Sequence, residues 1–186
     1  MTTDTTQQTR VAVLLGSTRS GSLNRRIAEH LRDHAPVGVT VDLVEGLDSV
    51  PFYNEELDGE TVPAAATALR ESVAGADRIL AVTPEYNGTM PAVLNNAIDW
   101  LSRPYGQGAI VGKPFAAIGA TPTPYGGKWS HEHARHSATI AGAVVVDGIV
   151  VDESAVEGDP LENEAAVRRF LGALDALVAH EVEVAA

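Results

Sequence analysis

The 186-residue sequence contains no cysteine, and only 5% of its residues are aromatic. The lack of cysteine excludes disulfides, thiolate metal ligands, iron–sulfur clusters and cysteine nucleophiles. The scarcity of aromatic residues argues against a row of base-stacking platforms. Basic residues are also few, since 13 Lys and Arg stand against 25 Asp and Glu, for a net charge of −12. A surface of that charge repels phosphate backbones, so we expect no nucleic-acid partner.

Long hydrophobic runs are absent as well. The apolar stretches are broken by Gly or Pro far below the ~20 residues that a membrane helix needs, so we expect no membrane partner. Residues 1–9 are polar and Thr/Gln-rich, without the apolar stretch of a signal peptide, and are predicted to form a flexible tail. Residues 10–181 are then predicted to form a single domain with a cytoplasmic location.

The remaining sequence alternates five strand patterns with five helix patterns. Runs such as Val11–Leu15 are apolar throughout, which is typical of strands buried on both faces of a parallel sheet. This alternation predicts an α/β domain with helices on both faces of the sheet, and ligands at the carboxyl ends of its strands. The predicted strands are Val11–Leu15, Val39–Val44, Arg78–Thr83, Lys113–Gly119 and Ala143–Val146, the last alternatively running to Val151. The predicted helices start near Leu23, Pro63, Pro91 and Trp129, and after the capping sequence Asp159–Glu162.

The strand-one loop, Gly16–Asn24, is rich in hydroxyl groups and carries one guanidinium, Arg19. The helix that follows adds free backbone N–H groups and a partial positive charge. Its glycines do not form G-x-G-x-x-G, and it lacks the lysine of a triphosphate-binding P-loop. The composition therefore favours a single terminal phosphate, and the alternative is an ordinary solvated turn with a serine cap.

Three segments together resemble the NAD(P)H-dependent FMN reductase family. The first is the spacing Gly16-Ser-x-Arg-x-x-Ser-x-Asn24, which is similar to that family's signature for the FMN phosphate. The second is the strand-three loop, Thr83–Gly88, with Pro91 and the helix pattern Leu94–Trp100 after it, and the third is Pro51–Leu57. The resemblance implies a flavodoxin-like three-layer sandwich with a five-stranded parallel sheet of order 2-1-3-4-5.

The resemblance also implies which residues hold the cofactor. Those predicted to bind the FMN phosphate are Ser17, Arg19, Ser22 and Asn24, with Leu23 contributing through its backbone. Those predicted to run along the isoalloxazine ring are Pro84, Glu85, Tyr86 and Asn87, with Gly88 permitting the turn and Thr121 reaching the flavin edge. Two of these assignments have alternatives, because Tyr86 also fits an exposed turn aromatic and Glu85 a solvated acid.

The strand-four loop, Ala120–Gly127, departs from the family pattern. The family often continues its Gly-Gly with a small residue and Arg, whereas Lys128 and Trp129 stand here. Asn95 likewise replaces a common Lys. Lys128 is suited to stabilise negative charge on the reduced ring. Trp129 fits either a packing residue at a helix start or a wall for the second substrate, so the sequence does not decide its role.

The segment His131–His136 invites comparison with a metal site. Only His133 and His136 share a helix face, and position 135 is Arg, so the H-E-x-x-H pattern is missing. We therefore predict a mixed polar helix face and no metal. Trp100 lies off the apolar stripe of its helix, which predicts packing either beneath a loop or at a subunit contact.

The resemblance implies an FMN-dependent enzyme that carries a hydride from NADPH or NADH to a small acceptor in a ping-pong cycle. Quinones, flavins, chromate and azo compounds are the acceptor classes, and a homodimer or homotetramer is expected. No side chain is required as an acid or base, so no catalytic residue is assigned. The main alternative is a flavodoxin-like electron carrier that binds FMN without oxidising NAD(P)H directly. A protein that has lost its cofactor is disfavoured by the intact strand-one loop.

Overall fold

The computed structural model describes residues 8–181. Most of the predicted tail thus lies outside the described residues, but Thr9 already belongs to the first strand and pairs with Val39. The strands are β1 (Thr9–Leu15), β2 (Val39–Val44), β3 (Arg78–Val82), β4 (Pro114–Thr121), β5 (Val144–Val145) and β6 (Val151–Ser154). The helices are α1 (Leu23–Asp33), α2 (Ala64–Ala74), α3 (Ala92–Leu101), α4 (Lys128–Ile140) and α5 (Glu164–Ala179).

The strands form one parallel sheet in the order β2-β1-β3-β4-β5, with β6 also paired to β4. This confirms the predicted flavodoxin-like order. Each face of the sheet carries its own hydrophobic core, because side chains alternate between the two faces of a strand. Residues of α2, α3 and α4 pack on one face, and residues of α1 and α5 pack on the other. The strand order places the carboxyl ends of β1 and β3 next to each other, with that of β4 beside β3.

The fifth strand position differs from the prediction of one continuous strand. Two short strands fill it: β5 pairs with the start of β4, and β6 pairs with its end. Between them the chain leaves the sheet at Asp147-Gly148, a turn sequence that interrupts the ladder. The sixth strand therefore arises from a split of the fifth, and it brings Asp152 beside the end of β4.

The capping sequence Asp159–Glu162 also plays a different part from the one predicted. Asp159 caps a separate 3-10 turn, Pro160–Glu162, through the backbone N–H of Leu161. The N-cap of α5 is Asn163, whose side-chain oxygen accepts hydrogen bonds from Ala165 and Ala166. Asp159 thus acts as a cap, but the 3-10 turn Pro160–Glu162 stands between it and α5.

Trp100 packs beneath the loop that follows β2, which was one of its two predicted places. Its side chain is fully buried, and its indole N–H donates to the Pro51 carbonyl at 2.7 Å. Tyr53 meets the indole edge-on, and the guanidinium of Arg70 lies 5.1 Å from its ring centroid. Within residues 8–181, no helix combines the length and the hydropathy of a bilayer-crossing segment.

Candidate functional site

A cleft of about 360 Å³ lies at the carboxyl ends of β1, β3 and β4. Ligands of open parallel sheets bind at this edge, where the strand order reverses. The strand-one, strand-three and strand-four loops all contribute to its walls. The predicted site residues that line it are Ser17, Arg19, Ser22, Leu23, Asn24, Pro84, Glu85, Tyr86 and Thr121. Its other lining residues are Ala120, Pro122 and Thr123.

Backbone N–H groups of the strand-one loop are open to a ligand. From Ser17 to Gly21, no backbone N–H donates to another residue of the described range. The first helical N–H groups of α1, which begins at Leu23, have no partner within the helix. Ser22 caps α1, because its Oγ accepts from the N–H of Arg25 at 3.4 Å. Unpaired amide donors at a helix N-terminus form a site suited to a phosphate.

Arg19 differs from the other arginines between positions 10 and 32, a segment that contains five of them. The other four each form an ion pair with a carboxylate: Arg10 with Asp42, Arg25 with Glu45, Arg26 with Asp159 and Arg32 with Asp33. Arg19 is exposed, lines the cleft and has no carboxylate partner anywhere in residues 8–181. It is thus the arginine of this segment whose charge remains available to an anion.

The charge of Arg25 is fully engaged by its neighbour Glu45. Two hydrogen bonds of 2.7 and 2.8 Å join its guanidinium to Glu45. They raise the pKa of Arg25 and lower the pKa of Glu45. A bidentate pair of this geometry leaves Arg25 little capacity for a second anion.

The Asn24 side chain is engaged by the protein itself. Its Nδ2 donates to the carbonyl of Ala120, and its Oδ1 accepts from the N–H of the same residue, both at 2.9 Å. Asn24 is 3% exposed and therefore ties the start of α1 to the end of β4. A Cβ on Gly119 would lie 2.6 Å from Asn24 Oδ1 and 2.2 Å from the carbonyl oxygen of Thr83, so this close approach requires glycine.

The strand-three loop closes in a tight turn. Tyr86 and Thr89 exchange two backbone hydrogen bonds of 3.0 and 3.1 Å. The two residues between them, Asn87 and Gly88, have φ values of 52° and 72°, the left-handed conformations that Asn-Gly favours in such turns. The turn points Asn87 into an adjoining hollow of about 520 Å³ and leaves Gly88 outside both spaces. The structure thus does not bring Asn87 and Gly88 into the cleft with the other predicted residues.

Glu85 lines the cleft, but its carboxylate is bound by the protein. Oε2 accepts from the backbone N–H groups of Trp129 at 3.0 Å and Ser130 at 3.3 Å, in the first turn of α4. The negative charge is favourable there because it faces the positive end of the helix dipole. Glu85 is therefore not simply a solvated acid, and it fixes the strand-three loop to α4.

Two threonines at the end of β4 and just after it also line the cleft. Thr121 Oγ1 accepts from the backbone N–H of Glu85 at 3.0 Å, which joins the two loops. Thr123 was missed by the sequence analysis, although it lies in the loop that followed the predicted fourth strand. Its Oγ1 is buried without any hydrogen-bond partner among the described residues.

The predicted polar face of α4 holds for His133 and His136, which are exposed, but not for His131. The His131 ring is fully buried and hydrogen-bonded on both nitrogens. Sequence periodicity missed it because a histidine between polar residues looks like part of a solvated face. Among the residues that the structure describes, no three His, Asp or Glu side chains are grouped as metal ligands.

The model of the family described as NADPH-dependent FMN reductase matches residues 9–157. The chain belongs to this family. It is therefore an oxidoreductase, with FMN as cofactor and NAD(P)H as reductant, as the resemblance implied.

Named relatives agree with this membership. The chain is 42% identical over 127 residues to a quinone reductase from Pseudomonas putida, covering 68% of each chain. It is 36% identical over 154 residues to a 2-hydroxy-1,4-benzoquinone reductase from a Burkholderia species, covering 81% of this chain and 83% of the relative. Among solved structures it is similar to FerB, a flavoenzyme NAD(P)H:(acceptor) oxidoreductase from Paracoccus denitrificans. That similarity has a TM-score of 0.80 at 30% identity, and it covers 91% of this chain and 95% of FerB.

The donors of the cleft fit an FMN molecule. A phosphate needs N–H groups and one cation, and both stand at the strand-one loop. A flat heteroaromatic ring needs apolar contact and a few polar groups at its edge. Leu23, Pro84, Tyr86 and Pro122 would provide the apolar contact, and Thr121 would provide a polar group at the edge.

Proposed function

We propose that the chain passes a hydride from NAD(P)H through bound FMN to a small acceptor, with a quinone as the leading acceptor class. The observation that carries this proposal is the unpaired Arg19 in a cleft whose other nearby arginines are all paired. An anion-binding end joined to an apolar, flat-sided space matches the two ends of a flavin mononucleotide. The quinone class is supported by the relatives from P. putida and Burkholderia, whose names specify quinone reduction.

One group of residues would bind the phosphate end of FMN, and a second group would contact its ring. Ser17, Arg19, Ser22 and the open N–H groups of the strand-one loop would hold the phosphate. Pro84, Glu85 and Tyr86 would bring their backbone along the ring, and Thr121 holds the Glu85 N–H in place. FMN, when bound, supplies the hydride chemistry, which no amino-acid side chain provides.

The protein would contribute orientation and access to this reaction. One side of the cleft is open, so NAD(P)H and then the acceptor would use the same face in turn. This is the basis for proposing a ping-pong cycle. Reduction of a quinone to a hydroquinone takes one hydride and one proton, and water at the open face would provide the proton. No side chain is assigned as a general acid or base.

A homodimer or homotetramer in the cytoplasm stays a prediction.

The visible spectrum tests the proposal directly. We expect the purified protein, loaded with FMN, to be yellow and to lose its absorbance near the flavin maximum when NADH or NADPH is added without oxygen. Addition of a benzoquinone should restore the absorbance, and initial rates at several quinone concentrations should give parallel double-reciprocal lines. A protein that binds FMN but is not bleached by either nicotinamide is an electron carrier, and one that binds no FMN contradicts the proposal entirely.

A further inference from the structure

His131 makes two hydrogen bonds, one that connects α4 to the strand-three loop and one that connects it to β6. Its Nε2 lies 3.1 Å from the carbonyl oxygen of Thr83, the residue that leads from β3 into that loop. Its Nδ1 lies 2.5 Å from Oδ1 of Asp152 on β6. The imidazole is fully buried, and the Asp152 side chain is 18% exposed. A buried ring held on both nitrogens has a fixed orientation, which a surface histidine does not have.

The two partners determine where the protons are. A carbonyl oxygen only accepts, so Nε2 must carry a hydrogen to bond Thr83. One further proton then lies between Nδ1 and Asp152, on either the imidazole or the carboxyl group. In both arrangements each of the two ring nitrogens has a partner. Asp152 holds Nδ1, which leaves Nε2 directed at the Thr83 carbonyl.

The first turn of α4 holds three consecutive residues of the strand-three loop. His131 donates to the Thr83 carbonyl, and Ser130 Oγ donates to the Pro84 carbonyl at 2.8 Å. The Glu85 carboxylate accepts from the backbone N–H groups at the start of the same turn. The contacts of Glu85 lie near solvent, whereas the Ser130 and His131 bonds are both buried. Of these two buried bonds, the His131 bond is the one whose donor ring is held by a second side chain, Asp152.

We propose that His131 is a positioning residue for the flavin ring: oriented by Asp152, it fixes the Thr83 carbonyl and so sets where Pro84–Tyr86 meet the isoalloxazine. This inference rests on the proposed function, because it assumes that the strand-three loop contacts the ring. It assigns no contact between His131 and the phosphate. The positioning role therefore predicts an effect on every flavin, with or without a phosphate.

The test compares His131→Leu with His136→Leu, an exposed histidine on the same helix. We expect His131→Leu to weaken the binding of FMN and of riboflavin by the same factor, about tenfold, because a buried carbonyl loses its donor. The visible spectrum of the bound flavin should also shift. Affinities are measured by quenching of flavin fluorescence, at temperatures where circular dichroism shows each variant to be folded. His136→Leu should match the wild-type protein in affinity and spectrum.

Asp152→Asn provides the conservative variant. An asparagine amide donates to Nδ1 while Nε2–H still bonds Thr83, so the orientation of the ring survives without a charge. We expect flavin affinity within about twofold of the wild-type value, since all of the hydrogen bonds are kept. If Asp152→Asn binds flavin as weakly as His131→Leu, the pair acts through its charge and the positioning role is wrong.

A measurement without flavin separates the two proposals. In the apo-protein, NMR should detect a slowly exchanging ring N–H of His131, and its absence would contradict the bond to Thr83. A wild-type protein that binds neither FMN nor riboflavin overturns the proposed function and this inference together. A wild-type protein that binds both, with an unchanged affinity in folded His131→Leu, overturns the role of His131 alone.

Discussion

Arg19 is the residue on which the recognition of the phosphate depends. The segment from Arg10 to Arg32 looks uniformly basic in the sequence, yet four of its five arginines are neutralised by nearby carboxylates. Residue counts alone therefore overstate the positive charge of this segment. What remains for a ligand is one guanidinium and a set of open backbone N–H groups.

Arg19→Ala should weaken FMN binding by about 1.5–3 kcal/mol, the range for a hydrogen bond to a charged group. This corresponds to a rise in Kd of about 10- to 150-fold. Riboflavin affinity should change much less, since riboflavin has no phosphate. Both are measured by fluorescence titration.

The matched control is Arg32→Ala, which removes the same charge at the far end of α1, where Arg32 pairs with Asp33. It should leave both affinities near their wild-type values. An equal loss in the two variants would mean that FMN responds only to the net charge, and Arg19 would then have no place in the site.

Asn24 and Glu85 show the limit of assigning roles to residues from a motif. Both were predicted to contact the cofactor, and both line the cleft. Their polar atoms nevertheless bond the protein: Asn24 holds Ala120, and Glu85 holds the first turn of α4. A motif records that a residue type is needed near a site, whereas only coordinates show which of its atoms remain free.

Helix α2 is joined to the loop after β2 and to α3 by a single arginine. Arg70 makes two hydrogen bonds of 2.6 and 2.7 Å to the carboxylate of Asp58 and one of 3.0 Å to the Trp100 carbonyl. The bonds from Arg70 hold the pKa of Asp58 below its ordinary value of 3.8. A carboxyl group with a lowered pKa stabilises the folded state above its unfolded pKa and loses this contribution as the pH falls through the folded value.

Asp58→Asn should therefore lower the free energy of unfolding by about 1–3 kcal/mol at pH 7. The difference from the wild-type protein should stay constant down to the ordinary pKa of 3.8 and shrink below it. Urea unfolding at a series of pH values measures this. Asp42→Asn, which breaks the more exposed pair with Arg10, should cost less than about 1 kcal/mol. Equal costs for the two variants would show that the partial burial of the Asp58 pair adds nothing.

The elements were predictable where one local pattern dominated. Strands β1, β3 and β4 are largely apolar on both faces, and the edge strand β2 alternates apolar residues with Thr40 and Asp42. The existence and layering of these strands therefore followed from the sequence, and their order followed from the family resemblance. The fifth strand was not predictable as two pieces, because the apolar run from Ala143 to Val151 conceals a turn at Asp147-Gly148. The buried position of His131 depends on Asp152, 21 residues later, and no periodicity within α4 reports such a partner.

On the scale of the whole molecule, the net negative charge of the protein disfavours the approach of an anionic ligand. The protein carries a net charge of −12, so at long range it repels an anion such as FMN. Binding must then come from short-range contacts that exist only after the three strand ends and the first turns of α1 and α4 have come together. The unfolded chain has no such arrangement, because the residues of the cleft lie as far apart as Ser17 and Thr123.

A ligand that binds only the folded protein raises its stability by mass action. FMN at one hundred times its Kd should add about 2.7 kcal/mol to the free energy of unfolding. For a chain of this length, that corresponds to a rise in Tm of about 5–10 °C. Differential scanning fluorimetry or calorimetry measures it. At the same concentration riboflavin should give a smaller rise, and Arg19→Ala should reduce the rise with FMN to about the riboflavin level. Identical rises with the two flavins would show that the phosphate contributes nothing, and that the open N–H groups of the strand-one loop hold some other part of the molecule.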